Sequence, residues 1–195
     1  MTAAAGVSMR QATGGDEAEL RELIRVRSFR LGRFTLASGA RSDLYFNLKP
    51  TMMCARGAWL SARAFIDRIR SEGIDFLGGL EMGAVPIIAS VAALSCAEGE
   101  PLETFFVRKR IKAHGTGDLV EGLAPGETLD GRRVMIADDV ATTGGSILVA
   151  VDTARAAGAL VESALVLVDR QEGARERLRE HGVHLLSVFT AAEFR

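Results

Sequence analysis

The chain has 195 residues, of which 48% are hydrophobic and 25% are charged, and its formal net charge is −1. This length allows a core of its own, and the composition is that of a globular protein rather than a disordered or fibrous one. A net charge near zero excludes a global positive field for holding nucleic acid. No apolar stretch reaches the roughly 18 residues of a membrane-spanning helix. We therefore expect a small-molecule partner, with no nucleic acid and no membrane.

The two cysteines and the N-terminal tract indicate the cellular compartment of the protein. Cys54 and Cys96 lie far apart, without the close spacing of a metal or disulfide framework, and this is typical of a reducing compartment such as the cytoplasm. Residues 1–15 are small and polar and lack the apolar centre of a secretory signal. We expect them to form a disordered lead to a single domain at residues 16–195.

The first predicted elements are a helix and a two-stranded ribbon. Asp16 followed by Glu19 resembles a capping box, and apolar residues then recur at helical spacing up to a helix end near Phe29. The runs 34–36 and 44–48 are strand-like, and turn-forming serine and glycine residues separate them. These runs predict a hairpin or edge ribbon that is appended to the main sheet.

The rest of the chain alternates short apolar strands with helices. Such alternation predicts parallel strands buried on both faces, and hence one α/β domain. Residues 108–131 do not fit the alternation, because they are polar and contain five glycines. Loops of this length are usually functional or disordered. The predicted helices are 58–70, 85–96, 147–157 and 174–180, and the predicted strands are 76–79, 104–107, 134–137, 164–168 and 183–189.

The strongest local signal is residues 134–146, a buried strand followed by two carboxylates and a turn of small residues that opens a helix. The backbone amides and hydroxyls of residues 142–146 and the helix dipole would point at one anion, as in a phosphate site. The lysine and the spacing of a nucleotide P-loop are missing. Asp138 and Asp139 would repel a phosphate unless they face sugar hydroxyls or a cation. A ribose 5-phosphate would satisfy both the phosphate-binding turn and the two carboxylates. The alternative interpretation is an acidic turn that caps a helix.

This string resembles the phosphoribosyl pyrophosphate (PRPP) signature of the type I phosphoribosyltransferases. The resemblance implies their fold, a central mostly parallel sheet flanked by helices, with a small N-terminal hood or ribbon and a mobile catalytic loop. It also implies that the acidic pair holds the ribose 2′ and 3′ hydroxyls and that the turn holds the 5-phosphate. The residues thereby assigned to PRPP are Asp138, Asp139, Val140, Ala141, Thr142, Thr143, Gly144, Gly145 and Ser146.

A second signal narrows the family. Residues 108–115 place four cations and His114 in a glycine-punctuated loop, for which a solvated basic loop is the alternative. The spacing is similar to the mobile catalytic loop of the orotate phosphoribosyltransferases, and fixed cations in a closed site stabilise the charge that grows on departing pyrophosphate. His114 either stays cationic there or donates a proton. The residues that match in PRPP binding are Arg108, Lys109, Lys112 and His114, and the catalytic assignments are Lys109, Lys112, His114, Asp138 and Asp139.

A third segment concerns the base. Arg170 follows the predicted strand 164–168, so parallel pairing would bring it beside the turn at Thr142. Its guanidinium can pair in bidentate fashion with the carboxylate that distinguishes orotate from uracil, or it can form an ion pair with Asp169 or Glu172. The segment resembles the orotate-binding segment of the same family. The resemblance assigns both Arg170 and Thr142 to orotate.

The ribbon is similar to the family's N-terminal ribbon, in which an aromatic residue stacks on the base. Orotate stacking by Tyr45 or Phe46 and core packing of either residue both stay open. Two lysines that many relatives carry are missing, one at Ala37 and one within residues 79–86. Backbone amides of residues 81–84, in a strand-to-helix turn, would replace one of these contacts, or Glu81 would help to place a metal.

The resemblance spans about residues 16–189 and implies an orotate phosphoribosyltransferase, which joins orotate to the phosphoribosyl group of PRPP. It implies Mg²⁺ carried by substrate oxygens without a direct protein ligand, and a cytoplasmic homodimer whose mobile loop reaches the neighbouring subunit's site. One alternative is a phosphoribosyltransferase for a purine or uracil, which shares the turn but not the combination of residues 108–115 with 169–172. The other is a ligand-sensing regulator that keeps the site without catalysis.

Overall fold

The computed structural model describes residues 14–35, 41–109 and 119–195, with the side chains of Thr35, Arg41 and Ser42 outside the described part. The helices are α1 (Gly14–Arg27), α2 (Lys49–Met52), α3 (Ala55–Ile69), α4 (Val85–Ala97), α5 (Gly145–Ala156) and α6 (Ala174–Glu180), and a 3₁₀ turn (Ala191–Phe194) follows the last strand. The strands are β1 (Phe29–Thr35), β2 (Arg41–Phe46), β3 (Phe76–Leu80), β4 (Glu103–Val107), β5 (Val120–Glu121), β6 (Arg133–Ala141), β7 (Leu160–Asp169) and β8 (His184–Thr190).

Six strands form the main sheet in the order β5-β4-β3-β6-β7-β8, and of these only β5 runs antiparallel to its neighbour. The prediction of an α/β fold with a mostly parallel sheet is confirmed. Parallel pairing brings the carboxyl ends of β3, β4, β6 and β7 to one edge, where Ala141 of β6 lies opposite Asp169 of β7. Open α/β sheets bind their ligands at this edge.

Each face of the main sheet packs against its own helices. On one face, α1, α3 and α4 contribute Leu20, Phe65 and Val91 to a buried cluster. On the other face, α5 and α6 contribute Val151 and Leu178. Burial of each such side chain stabilises the fold by about 1.5–3 kcal/mol, so the two clusters hold the edge strands and their loops in place. No helix in the described ranges has the length and apolar character needed to cross a membrane.

The predicted ribbon is present as the antiparallel pair β1 and β2. Phe29 lies opposite Phe46, and these two rings, whose centroids are 5.0 Å apart, pack with Phe194 of the 3₁₀ turn. This aromatic cluster joins the ribbon to the core on the α1, α3 and α4 face of the sheet. β1 starts five residues before the predicted run, because the arginine and glycine residues within it break the apolar pattern.

Several boundaries differ from the sequence predictions. The helix α1 includes Gly14, so Asp16 lies inside its first turn and pairs with Arg56 at 3.5 Å instead of capping the helix. Gly14 is also helical rather than part of a lead, and residues 1–13 lie outside the described part. The helix α2 and the strand β5 were not predicted, because four and two residues are too few to show a periodic pattern.

Candidate active site

A cleft of about 540 Å³ opens at the carboxyl edge of the main sheet. The end of β6 forms its floor, and the connection from β3 to α4 forms one wall. Lys49, the first residue of α2, and Lys109, which follows β4, line it from two further elements. Four separate parts of the chain therefore meet where the sequence predicted the sugar-phosphate site.

The acidic pair lies at the floor of this cleft and inside a strand. The sequence predicted Asp138 and Asp139 after the strand 134–137, whereas β6 continues to Ala141. Asp138 is only 5% exposed. Its Oδ2 accepts a hydrogen bond of 2.6 Å from the Ser146 hydroxyl, and its Oδ1 accepts one of 2.9 Å from the Asp139 amide. The pair is thus held rigidly by the strand and by the helix that follows it.

Burial controls the ionisation of both carboxyl groups. Burial and then the charge of Asp139 raise the pKa of Asp138 to about 7. Burial also raises the pKa of Asp139, and the nearby Lys49 ammonium group opposes this rise. Two adjacent carboxylates in a partly dry site do not both ionise easily. Near neutral pH the pair can therefore hold a proton or accept hydrogen bonds, and both states suit contacts with hydroxyl groups.

The turn between β6 and α5 has the geometry of an anion cradle. Gly144 adopts a positive φ of 76°, a conformation that side-chain-bearing residues rarely adopt. The helix α5 begins at Gly145, and the amide groups of a helix's first turn have no acceptor within the helix. The Ser146 hydroxyl already donates a hydrogen bond to Asp138. The donors for an anion are therefore the backbone amides of this turn and the hydroxyls of Thr142 and Thr143.

The wall formed by the β3 to α4 connection touches the acidic pair directly. A Cβ atom added at Gly83 would lie 2.3 Å from Oδ1 of Asp138 and 3.1 Å from Oδ1 of Asp139. Only glycine therefore allows this close approach. The peptide bond between Glu81 and Met82 is cis. Sequence reasoning did not single out Gly83, and its place before the proline-containing helix was the available signal.

Residues 108–115, called here the basic segment, begin next to the same wall. The backbone N–H of Lys109 donates a hydrogen bond of 2.9 Å to the Glu81 carboxylate. The guanidinium of Arg108 pairs with Glu121 of β5 at 3.3 Å. Glu81 thus contacts the basic segment, and its suggested metal role stays a prediction. The predicted residues Lys112 and His114 lie outside the described residues.

Arg170 lies beside the cradle, at the end of β7. Its backbone N–H donates to the carbonyl of Ala141 at 2.9 Å, and its side chain is 4% exposed. The guanidinium pairs with Glu172 at 2.7 Å and reaches the Leu44 carbonyl of the ribbon at 3.5 Å. The ion pair that the sequence left open is therefore present, and it is with Glu172. Asp169 pairs with Arg175 instead.

The two ribbon aromatics point to opposite faces of β2. Phe46 is 8% exposed and packs against Phe29 and Phe194, so it takes the core-packing alternative that the sequence left open. Tyr45 is 41% exposed, and its ring centroid lies 5.3 Å from that of Phe34. Of the two, only Tyr45 presents a ring that a ligand can reach.

Comparison with known proteins agrees with this geometry. The phosphoribosyl transferase domain family matches residues 57–187. The orotate phosphoribosyltransferase of Rhodopseudomonas palustris (strain BisB5) is 50% identical over 177 residues, which cover 91% of this chain and 95% of that relative.

The chain belongs to the orotate phosphoribosyltransferase family.

Solved structures of orotate phosphoribosyltransferases share the fold. The Mycobacterium tuberculosis H37Rv protein, in complex with 5-phospho-alpha-D-ribosyl 1-diphosphate, gives a TM-score of 0.75 at 32% identity and covers 92% of this chain and 98% of its own. The Aeropyrum pernix protein gives 0.74 at 32% identity and covers 90% and 95%. The family resemblance read from residues 108–115, 134–146 and 169–172 is therefore confirmed.

Besides Gly83, the sequence reasoning missed Lys49 as a cleft residue of this member of the orotate phosphoribosyltransferase family. Lys49 lines the cleft and acts electrostatically on Asp139, 90 residues further along the chain. The residue follows the strand-like run 44–48, where a lone lysine before a proline carries no recognisable motif. Its place became visible only when the fold brought α2 next to the end of β6.

Proposed function

We propose that this chain transfers the 5-phosphoribosyl group of PRPP to N1 of orotate, releasing pyrophosphate and giving orotidine 5′-monophosphate, the precursor of UMP. The main supporting observation is the acidic pair of buried Asp138 and half-buried Asp139, which lines an open cleft shortly before the anion cradle at the start of α5. An orotate phosphoribosyltransferase that is 50% identical over 91% of the chain supports the choice of base. Residues 16–195 act in this proposal as one catalytic domain.

The sugar phosphate binds at the floor of the cleft. The amides and hydroxyls of residues 142–146 and the positive end of the α5 dipole hold the 5-phosphate. The adjacent Asp138 and Asp139 accept hydrogen bonds from the two ribose hydroxyls. Because these two carboxyl groups are already fixed by the amide of Asp139, the amide of Val140 and the Ser146 hydroxyl, binding costs little reorganisation.

The pyrophosphate leaves from the mouth of the cleft. Its departure produces an oxocarbenium-like ribosyl centre, which N1 of orotate captures. Cations of the basic segment, namely Arg108, Lys109, Lys112 and His114, neutralise the charge that develops on the leaving group. Closure of this segment over the cleft excludes water, so the ribosyl centre is not hydrolysed. The hydrogen bond from Lys109 to Glu81 supports a hinge at the start of the segment.

Orotate binds between the cradle and the ribbon. The Arg170 guanidinium pairs with the orotate carboxylate, and the exposed ring of Tyr45 stacks on the base, with Thr142 nearby. Arg170 already pairs with Glu172, a residue that solvent reaches more readily than Arg170. The ligand's carboxylate therefore replaces or shares that partner, and bidentate geometry favours the planar carboxylate of orotate over the neutral edge of uracil.

Magnesium enters with the substrate in this proposal. The cleft supplies oxygen donors from Glu81, Asp138 and Asp139, which is the ligand chemistry that Mg²⁺ prefers, and its volume leaves room for a hydrated ion. These oxygens would accept hydrogen bonds from water on the ion, so the residues present fit it, while oxygens of the substrate would be its direct ligands. Bound Mg²⁺ supplies neutralisation of the diphosphate charge.

The assembly and the compartment complete the proposal. We infer that the protein is a cytoplasmic homodimer in which the basic segment of one subunit reaches the cleft of the other. Family resemblance supports this arrangement. Mixing two inactive variants, Lys112→Ala and Asp139→Asn, tests it. Activity recovered in the mixed dimers supports sharing of the segment, and its absence in confirmed mixed dimers contradicts sharing.

The decisive experiment is an orotate absorbance assay with PRPP and Mg²⁺. We expect orotate to disappear only when both are present, and we expect uracil, hypoxanthine and adenine to give at most about 1% of that rate, because they lack the carboxylate that Arg170 binds. Equal turnover of another base would contradict the assignment of orotate. Binding of PRPP without turnover of any base would instead indicate the ligand-sensing regulator.

A further inference from the structure

We propose that Lys49 is a further substrate-binding residue of this reaction and that its ammonium group holds the anionic diphosphate of PRPP beside the acidic pair. The inference rests on the proposed function, because it assigns the cation to that substrate. It gives a single lysine, outside both the basic segment and the cradle, a measurable role in binding PRPP.

The charges that line the cleft leave a deficit of positive charge. Among the described lining residues, Glu81, Asp138 and Asp139 contribute −3 when all three are ionised and −2 when the aspartate pair holds one proton, whereas Lys49 and Lys109 contribute +2. The lining therefore carries no net positive charge in either state, so it does not by itself attract a substrate with a monophosphate and a diphosphate. Each of the two lysines therefore accounts for a large share of the attraction.

The backbone at Lys49 is firmly held while its side chain is exposed. Leu48, Thr51 and Met52, which surround it in sequence, are all buried. The Thr51 hydroxyl also hydrogen-bonds to that of Ser28 at 2.7 Å inside the core. This anchoring fixes the point from which the lysine side chain reaches into the cleft. A cation on a fixed backbone loses less freedom on binding than one on a loose loop.

Lys49 approaches the cleft from the ribbon side, whereas Lys109 approaches it from the end of β4. The two lysines thus flank the floor formed by β6 from different elements. The Lys49 ammonium group also lowers the pKa of Asp139, so it acts at the position where ribose and diphosphate meet. No lysine occurs within residues 79–86, so Lys49 and Lys109 are the cations among the described lining residues of the cleft.

The alternative is that Lys49 only supports the ionisation of Asp139 and never contacts the substrate. The two roles differ in what they change. A contact with the diphosphate makes the binding constant for PRPP depend on the charge at position 49. An effect through Asp139 alone shifts the pH profile of turnover and leaves the affinity for PRPP at high pH unchanged, because Asp139 is then ionised in either case.

The test compares Lys49→Ala, Lys49→Gln and Lys49→Arg with Arg132→Ala. Arg132 is an exposed cation next to the amino end of β6, at the opposite edge of the sheet, so its removal controls for net charge. Calorimetry with PRPP and Mg²⁺ measures the dissociation constant, and steady-state kinetics measures KM for each substrate. Thermal unfolding checks the fold, and Lys49→Gln keeps the aliphatic stem if the alanine variant is unstable.

We expect Lys49→Ala and Lys49→Gln to weaken PRPP binding by about 10- to 30-fold, as for the loss of one charge-assisted contact. KM for PRPP should rise by a similar factor and KM for orotate should change by less than about threefold. Lys49→Arg should retain most of the affinity, and Arg132→Ala should match the wild type. Wild-type affinity for PRPP in Lys49→Ala at high pH would overturn the inference.

The outcome for Lys49 is separable from that for the proposed function. A wild-type protein that binds PRPP but does not consume orotate contradicts the orotate assignment, and the calorimetric comparison still decides the role of Lys49. A wild-type protein that consumes orotate, together with unchanged PRPP binding by Lys49→Gln, contradicts only the inference. A parallel loss of affinity for PRPP and for orotate would also overturn it, because a diphosphate contact affects PRPP selectively.

Discussion

The two halves of the cleft are built differently. The proposed sugar-phosphate half comes from β6, α5 and the β3 to α4 connection, where strand pairing and short hydrogen bonds fix each group. The proposed base half depends on the two-stranded ribbon, which pairs with no strand of the main sheet, and on Arg170, whose guanidinium reaches across to Leu44. We therefore expect the transfer chemistry to depend on the rigid edge of the sheet and the choice of base to depend on Arg170 and the ribbon.

The largest expected effect is on the rigid half. In Gly83→Ala, the new Cβ would lie 2.3 Å from Oδ1 of Asp138, so either the acidic pair or the wall must move. We expect kcat/KM to fall by at least about 100-fold, since displacements near 1 Å in an active site have effects of that size. Gly14→Ala is the control, because an added Cβ there meets no atom of the described residues within 4 Å. Wild-type kinetics in Gly83→Ala would contradict the close approach.

Variants of the two neighbouring aromatic residues of β2 should affect protein stability and orotate binding separately. Phe46→Ala should destabilise the protein by about 3 kcal/mol, because it leaves a cavity among Phe29 and Phe194. Tyr45→Ala should change stability by less than about 1 kcal/mol and raise KM for orotate several-fold through lost stacking. Urea unfolding and orotate kinetics measure the two effects. The opposite result, with Tyr45 critical for stability and Phe46 for binding, would exchange the roles of the two rings.

Arg170→Lys tests the base half alone. A lysine keeps the positive charge but cannot form two parallel hydrogen bonds with a carboxylate. We expect KM for orotate to rise by about 10- to 100-fold while KM for PRPP stays within about threefold. If both values rise equally, Arg170 acts through the cradle at Ala141 rather than on the base.

The smallest effect concerns the pH dependence of stability. The folded protein raises the pKa of Asp138 from 3.8 to about 7, so between these values the native state binds the extra proton. The stability contributed by protonated Asp138 is fully present below about pH 4 and is lost as the pH rises through about 7. Asp138→Asn should remove this loss and gain on the order of 1 kcal/mol relative to wild type between about pH 5 and pH 8. Urea unfolding at about pH 5 and about pH 8 measures the free energy of unfolding of both proteins. An equal change with pH in wild type and Asp138→Asn would contradict the effect of burial on Asp138.

The success of sequence prediction followed the same division between sheet and appendages. The apolar runs of β3, β6 and β7 were located because strands buried on both faces are continuously apolar in sequence, whereas buried and partly buried residues alternate in β4. The helix α6 was predicted with both of its ends correct. The helix α2 and the strand β5 were missed because short elements are held by tertiary contacts rather than by their own pattern.

Within the candidate site, the sequence revealed the contiguous motifs but not the residues from other elements that contact them. Asp138 and the cradle at residues 142–146 were recognised because contiguous residues form them. Lys49 comes from α2, whereas Glu81 and Gly83 come from the β3 to α4 connection, so no local sequence spacing predicts that they meet Asp138. The roles of all these residues in binding and catalysis stay predictions until the variants are measured.

The sequence by itself determined the α/β class, the sheet-edge location of the anion cradle and the family, because these depend on hydrophobic periodicity and on contiguous motifs. Only the tertiary structure decided that Asp138 is buried and that this burial raises its pKa to about 7. It also decided that Arg170 pairs with Glu172, and that Phe46 faces the core while Tyr45 faces solvent. Ionisation, pairing and exposure depend on which distant residues surround a group. Chain folding sets those surroundings, and the order of residues does not display them.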